Sequence, residues 1–470
     1  MKVKLTLLTV LVLWVMSCGT RQSSDTTIQP KPNIILINID DLGWSEPSFM
    51  GSAFYETPVI DNLSKQGLVF TNAYAAAANC APSRASLMTG KWTQRHGILT
   101  VGSSERGKSA DRKLIPIVNK TDIDEKFLLI PELLKENGYH TIHAGKWHLS
   151  DDPLQNGFVV NIAGSHAGHP SGYHAPFKNI ALKAEKGERL TGLIMDELIQ
   201  TLEKNKEPFF VNYAPYAVHT PIQPVTSLLG KYETKEKIPG KSNPKYATMI
   251  EDVDSNIGKL ISYLKRTDRF KNTIIIFTSD NGGLFFVSNQ HPLRAGKGSY
   301  YEGGIRVPFF VVWEGKIERG NTNSTPISNI DIYPTLLEMA KIGPPGDLIL
   351  DGNSLWPILS TQEVLESRPL FWHFPVYLQA VVGQNENRDP KFRTRPGSVV
   401  RYGKWKLHHY FEDDALELYN LEDDLGEKYN LVDTFPEKAE ELYQLLEQWR
   451  SDTNAPIPTE TNPEYQQPTR

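Results

Sequence analysis

Short apolar runs recur along the chain at residues 34–39, 141–144, 209–213, 273–278 and 308–313. Each is too short for a helix and largely unbroken by polar residues, the pattern of strands buried on both faces of a parallel sheet. Between them, 59–66, 130–137, 190–204 and 247–265 read as helices. Strands alternating with helices predict an α/β fold: a large mixed, mainly parallel sheet sandwiched by helices. The C-terminal stretch reads differently. Residues 398–410 suggest a hairpin turning near Gly403, and 436–450 a helix that starts with Pro436 and acidic residues, as its dipole prefers. A smaller α+β subdomain is therefore expected over 366–470, after a main domain over 32–365.

Sheets of this kind hold ligands beyond the carboxyl ends of their strands. Polar residues gather at four of those ends. Asp40 and Asp41 follow the first run, and Gly145-Lys146-Trp147-His148 the second. His219-Thr220-Pro221 follow the third, and Ser279-Asp280-Asn281-Gly282-Gly283 the fourth. Carboxylates, an amide, lysine and histidine are thereby delivered toward one rim.

Composition adds exclusions. With 50 Lys plus Arg against 55 Asp plus Glu, the net charge of -5 offers no basic excess for a nucleic-acid partner. At the N-terminus, Lys2 and Lys4 precede an apolar run over 5–15 and then Val15-Met16-Ser17-Cys18, which describes a secretory signal peptide over 1–17. The run is short for a membrane span. Cys18 at the cleavage point resembles a bacterial lipobox, in which the thiol is acylated. That implies a cell-envelope lipoprotein, in the periplasm or on the outer-membrane surface, held to the membrane by a lipid anchor and a polar tether over 18–31. The alternative is an ordinary signal peptide whose cysteine is discarded.

The chain has two cysteines. With Cys18 lipidated, Cys80 is left unpaired in an oxidising compartment, either as a small buried hydrophobe or for its chemistry. Cys80-Ala81-Pro82-Ser83-Arg84 is followed by Ala85-Ser86-Leu87-Met88-Thr89-Gly90. Pro82 suits a first helical turn and Gly90 a helix end. Cys80 then lies at a helix N-terminus, where backbone N–H groups favour anions, with Arg84 returning over the same turn.

Cys-x-Pro-Ser-Arg with Leu-x-Thr-Gly after it resembles the signature of type I sulfatases of the alkaline-phosphatase superfamily. The resemblance extends, in family order, to residues 32–41, Gly145-Lys146-Trp147-His148, Thr278 to Gly283, Gly296-Lys297-Gly298, 301–308 and the C-terminal Leu418-Tyr419-Asn420-Leu421. It implies that Cys80 is oxidised to formylglycine (3-oxoalanine) by a formylglycine-generating or anaerobic sulfatase-maturing enzyme. Asp40, Asp41, Asp280 and Asn281, hard oxygen donors, would hold Ca²⁺, or alternatively Mg²⁺, together with an oxygen of modified Cys80. Arg84, Lys146 and Lys297 would neutralise the sulfate. His148 and His219 would act as acid–base groups, with Asp280 helping to deprotonate the formylglycine hydrate.

The segment over 164–174 is rich in glycine and histidine. It reads equally as a solvated loop or as the lining of a substrate cleft, with Tyr173 as a sugar platform and His166 or His169 as hydrogen-bond partners. Its histidines lack a zinc-ligand spacing. The substrate implied is a sulfated oligo- or polysaccharide, foremost an algal one such as ulvan. The rivals are a phosphonate monoester or phosphodiester hydrolase using the same site, and a non-catalytic carbohydrate-binding lipoprotein. The latter should lack a nucleophile, metal ligand or cationic clamp, and none is missing.

Overall fold

The structure is a computed structural model that describes residues 30–363, 365–380 and 386–467. The signal peptide, Cys18 and all of the tether before Pro30 lie outside the described residues. Pro32–Arg470 forms one compact unit. No helix among the described residues is long and apolar enough to cross a membrane.

The strands, in chain order, are β1 (Asn33–Ile39), β2 (Leu68–Phe70), β3 (Ala73–Tyr74), β4 (His140–Gly145), β5 (Val160–Ile162), β6 (Phe209–Ala214), β7 (Thr273–Ser279), β8 (Phe310–Val312), β9 (Asn321–Asn323) and β10 (Ile327–Ser328). After these come β11 (Leu370–Phe374), β12 (Leu378–Gln379), β13 (Phe392–Thr394), β14 (Gly397–Tyr402), β15 (Trp405–Tyr410) and β16 (Ala415–Asn420). Eight of them make the main sheet in the order β5-β4-β6-β1-β7-β8-β2-β9. Its centre is parallel, with Ile35 beside Val211 on one side and Ile275 on the other.

The run over 308–313 forms β8, which is antiparallel to β7, Phe277 facing Phe310. The expectation of a parallel strand there is corrected. Burial on both faces produces an apolar run whichever way the strand points, so hydrophobicity carries no direction.

Alternate residues of β1 enter opposite layers, as the pleat requires. Ile35, Ile37 and Ile39 pack with the helices Pro58–Ser64, Leu190–Lys204 and Pro244–Arg266. Ile34 and Leu36 pack with Cys80–Thr89, Ile130–Glu136 and Ile332–Met339. Every residue of the helix Cys80–Thr89 is buried. The element that carries the candidate nucleophile is thus core.

The C-terminal region begins its sheet at Leu370, with antiparallel order β11-β14-β15-β16. The helix Pro436–Asp452 covers it, Trp449 stacking on Phe371 with ring centroids 4.6 Å apart. The same apolar cluster includes Ala76, Ala78, Tyr300 and Ile305. This layer therefore braces the chain just before Cys80.

Candidate active site

Four strand ends meet as the sequence pattern predicts. β1 ends at Asp40 and Asp41, β4 at Lys146, β6 leads to His219, and β7 ends at Asp280 and Asn281. The tips of β1 and β7 are tied together. The Asp41 N–H donates to Asp280 Oδ1 at 3.1 Å, the Asp280 N–H to the Ile39 carbonyl at 3.1 Å, and the Ser279 hydroxyl to the same carbonyl at 3.0 Å. Asp41 and His148 are held at φ 63° and 67°. These left-handed conformations are costly for non-glycine residues and concentrate at functional sites. Gly145 is needed where β4 ends: at φ +109° a Cβ there would stand 2.0 Å from the Ala214 carbonyl oxygen.

Cys80 opens its helix after Asn79, which is extended and makes no side-chain capping bond, and Gly90 closes it at φ 65°. Around the thiol, cations and carboxylates interlock. Lys297 Nζ lies 2.9 Å from Cys80 Sγ and 2.6 Å from Asp41 Oδ1. Lys146 Nζ donates to both oxygens of Asp40 at 2.9 and 2.8 Å. Arg84 presents Nε and Nη2 to Asp280 Oδ2, each at 2.8 Å, and Nη1 to the Lys146 carbonyl at 2.8 Å. Each of the three cations expected to meet sulfate is thus paired with one carboxylate of the proposed metal set. Asn281 Nδ2 donates to Asp41 Oδ1 at 2.8 Å.

The set is not self-sufficient. Asp41 Oδ2 and Asn281 Oδ1 are buried with no hydrogen-bond donor. Ligand atoms of Asp40, Asp41, Cys80 and His219 all lie within 4.8 Å of one another. Buried acceptors without donors are expensive unless a cation supplies the missing charge. Asp40 and Asp41 bring the oxygen donors of that group, and Asp280 and Asn281, each hydrogen-bonded to Asp41, stand beside them; such an oxygen set, with two atoms unfilled, suits a hard divalent metal.

The electrostatics follow from burial and neighbours. Burial, against the pull of Lys146, pushes the Asp40 carboxyl up, and burial against Arg84 does the same to Asp280. For Asp41 burial is outweighed by Lys297, His219 and Lys146, which hold it below the usual carboxylate range. Lys146 and Lys297 likewise overcome burial at Cys80 and bring its thiol down to about 6.

His219 Nδ1 lies 2.8 Å from the Thr220 carbonyl, which can only accept, so that nitrogen carries a proton. Its Nε2 is then left facing Asp41 Oδ2 at 3.6 Å. Burial and Lys297 oppose protonation of the ring, but Asp41 and Asp40 prevail and raise its pKa. Burial, then Lys146 and Arg84, drive His148 well below its usual value, and its Nδ1 lacks a partner. Gly168 must lack a side chain here, because a Cβ would stand 2.7 Å from His148 Cε1.

The segment over 164–174 is divided. His169 stacks on His219 with centroids 5.8 Å apart, and His166 meets His148 edge-on at 6.0 Å while reaching Asp122 at 3.4 Å. Tyr173 is a correction. It is fully buried, and its hydroxyl donates to the carbonyls of Tyr216 at 2.6 Å and His219 at 2.8 Å. It fixes the His219 turn and presents no face to a sugar. Sequence reasoning also passed over Arg393, whose Nη1 donates to the Lys297 carbonyl at 3.1 Å. No local motif marks that residue.

Comparison with known proteins agrees with this geometry. The sulfatase family profile matches residues 32–342, and an N-sulphoglucosamine sulphohydrolase C-terminal profile matches 296–452. A sulfatase of Formosa agariphila is 31% identical over 91% of this chain and 90% of its own length. The chain belongs to the sulfatase family. It is accordingly a hydrolase of that family, with a type I sulfatase fold. Human N-acetylgalactosamine-6-sulfatase is 29% identical to this sulfatase over 76% of the chain and 71% of its own length. The crystal structure of Ps i-CgsB matches with a TM-score of 0.75 at 30% identity, covering 92% of this chain and 95% of that one; its complex with k-i-k-neocarrahexaose gives 0.73 at 29% identity.

Proposed function

We propose that this sulfatase removes sulfate from a sulfated carbohydrate, an oligosaccharide of an algal polysaccharide such as ulvan, with formylglycine made from Cys80 and with calcium. The observation that carries the reading is the cluster around Cys80, where Asp41 Oδ2 and Asn281 Oδ1 lack donors beside three buried carboxylates and three buried cations. A saccharide substrate is supported by relatives whose names and ligands are carbohydrate sulfatases or oligosaccharides.

Asp40, Asp41, Asp280 and Asn281 would hold the ion, which when bound supplies Lewis-acid stabilisation of charge on the sulfate oxygens. Cys80 Sγ stands in for the nucleophilic oxygen of a formylglycine hydrate, whose second hydroxyl permits release of sulfate after transfer. Lys297 Nζ, at 2.9 Å, orients that oxygen. Asp280, steadied by Arg84, takes its proton. Lys146 and Arg84 stabilise the charge that grows on sulfate. His219 Nε2, the nitrogen not committed to Thr220, protonates the departing sugar oxygen, assisted by Lys297. His148, kept neutral by burial, takes the proton of the second hydroxyl. His166 and His169, beside those two rings, border the substrate. Maturation of Cys80 by a separate enzyme and lipid anchoring through Cys18 complete the picture of a cell-envelope lipoprotein.

The test compares 4-methylumbelliferyl sulfate with the phosphate ester of the same alcohol. The sulfate should be the better substrate by kcat/KM, and Cys80→Ala should lower its turnover by about 10⁴-fold or more. Preference for the phosphate, or sulfate release surviving in Cys80→Ala, overturns the reading.

A further inference from the structure

The loop ending at Gly107 and the ribbon β12–β13 meet beside Lys297. The loop is pinned: the Tyr377 N–H donates to the Ser104 carbonyl at 3.0 Å, and Arg112 Nη1 donates to the carbonyls of Glu105 and Gly107 at 3.0 and 2.9 Å. A Cβ on Gly107 would stand 2.7 Å from the Phe392 ring, so loop and ribbon are in contact. On the ribbon, Arg393 Nε donates to the Gln379 carbonyl and Nη1 to the Lys297 carbonyl, both at 3.1 Å. Arg393 therefore grips the backbone of the residue whose ammonium touches Cys80.

Both Arg106 and Arg393 are partly exposed. Arg393 bonds only to carbonyls, and no hydrogen bond or ion pair engages Arg106 among the described residues. The neighbouring carboxylates are spoken for: Glu105 by Arg112 at 3.4 Å, Asp389 by Arg395 at 2.6 Å, Asp111 by Lys391 at 2.6 Å, and Glu412 by Arg395. Burial and then the charge of Arg106 bring Arg393 down to about 10, and burial lowers Arg106. Asp41, already paired with Lys297 at 2.6 Å, and Cys80 offset only part of this. Two guanidinium groups sharing a neighbourhood repel each other, and an anion between them relieves that cost. Their planar forks match sulfate and carboxylate geometry.

We infer that Arg106 and Arg393 form a second anion subsite beside Lys297 and Cys80, which receives a sulfate ester or carboxylate of the sugar other than the ester being cleaved. The inference rests on the sulfatase reading and adds a substrate class, a sugar with at least two negative groups. Arg393 reads that group from the ribbon and Arg106 from the loop, so the subsite selects among sulfated sugars, while Arg393 also steadies Lys297 through its carbonyl.

The experiment measures inhibition of 4-methylumbelliferyl sulfate hydrolysis by three disaccharides: a monosulfated galactose disaccharide, its disulfated counterpart, and a monosulfated disaccharide containing a uronic acid. One of the two dianionic sugars should have an inhibition constant about tenfold or more below that of the monosulfated one, and which it is identifies the anion. Arg106→Gln and Arg393→Gln should each erode that ratio, while Arg106→Lys keeps part of it; thermal melting verifies that the variants are folded. Equal inhibition by all three sugars, or a ratio unmoved by Arg106→Gln, overturns the subsite. Failure of the wild type to hydrolyse the aryl sulfate strikes the sulfatase reading instead.

Discussion

The cluster of Asp40, Asp41 and Asp280 and the cluster of Glu302 and Glu427 are both built from buried carboxylates and buried cations. In the second, Lys406 Nζ bridges Glu302 and Glu427 at 2.9 Å each, the Glu302 N–H donates to Glu427 at 2.6 Å, and Tyr74 and Arg306 donate to Glu302 at 2.7 and 3.3 Å. His408 Nε2 completes it at 3.2 Å from Glu427. All four carboxylate oxygens have donors, and the cluster joins β15 to the short helix Glu302–Ile305. Around Cys80 the ion pairs are as short, yet Asp41 Oδ2 and Asn281 Oδ1 have none. Buried charge is therefore no signature of a site by itself. What distinguishes the working cluster is carboxylate and amide oxygens left without donors; in the second cluster the unpartnered atom is a ring nitrogen, His408 Nδ1.

Breaking each cluster should separate the two roles. The largest effect is expected from Lys406→Met, which strands two buried carboxylates and should cost about 3–5 kcal/mol in denaturant unfolding while the folded fraction keeps its kcat. Next, Lys297→Ala should lower kcat by about 10²–10³-fold, the loss typical of one preorganised charge-stabilising donor. An unchanged kcat would move Lys297 into the structural class. Third, calcium added to chelator-stripped protein at roughly a hundred times its dissociation constant should raise unfolding free energy by about 2.7 kcal/mol. Asn281→Ala should shrink that gain and Lys406→Met should not; calorimetric titration reads the difference.

The smallest effect per residue and pH unit concerns histidines that are buried but satisfied. Burial brings His96 and His143 down to about 3 and His373 to about 4. His143 illustrates why its neutral form fits: Nε2 donates to the Gly145 carbonyl and Nδ1 accepts from Asn212, each at 3.0 Å. Above pH of about 6.5 both folded and unfolded chains hold these rings neutral. As pH falls below that, the unfolded chain binds protons first, so stability is lost progressively toward pH of about 4 for His373 and about 3 for His96 and His143, on the order of 1 kcal/mol per pH unit for each ring. Urea midpoints should fall between pH 7 and 5, and His96→Gln should flatten part of the slope. A flat wild-type profile contradicts the assignment.

Most of the rim was legible because apolar runs stop abruptly at polar residues, and a parallel sheet delivers those stops to one edge. Asp40, Lys146, His219 and Asp280 were found in this way. The direction of β8 was not legible, since burial on both faces looks the same in either orientation. Tyr173 was misread because an aromatic among glycines and histidines resembles a loop residue, and only the fold shows its hydroxyl filling two carbonyls of the His219 turn. Arg106, Gln379 and Arg393 escaped notice because nothing local pairs them. Their meeting beside Lys297 is made by the loop, the ribbon and the packing between them. The pairing of each active-site cation with its own carboxylate is likewise a three-dimensional fact.

The central claim is that residue 80 works as an aldehyde hydrate and not as a thiol. Mass spectrometry of the peptide spanning Cys80, taken from a preparation that releases sulfate, addresses it directly. The account predicts formylglycine at that position, in proportion to activity across preparations. An intact cysteine in fully active protein would contradict it.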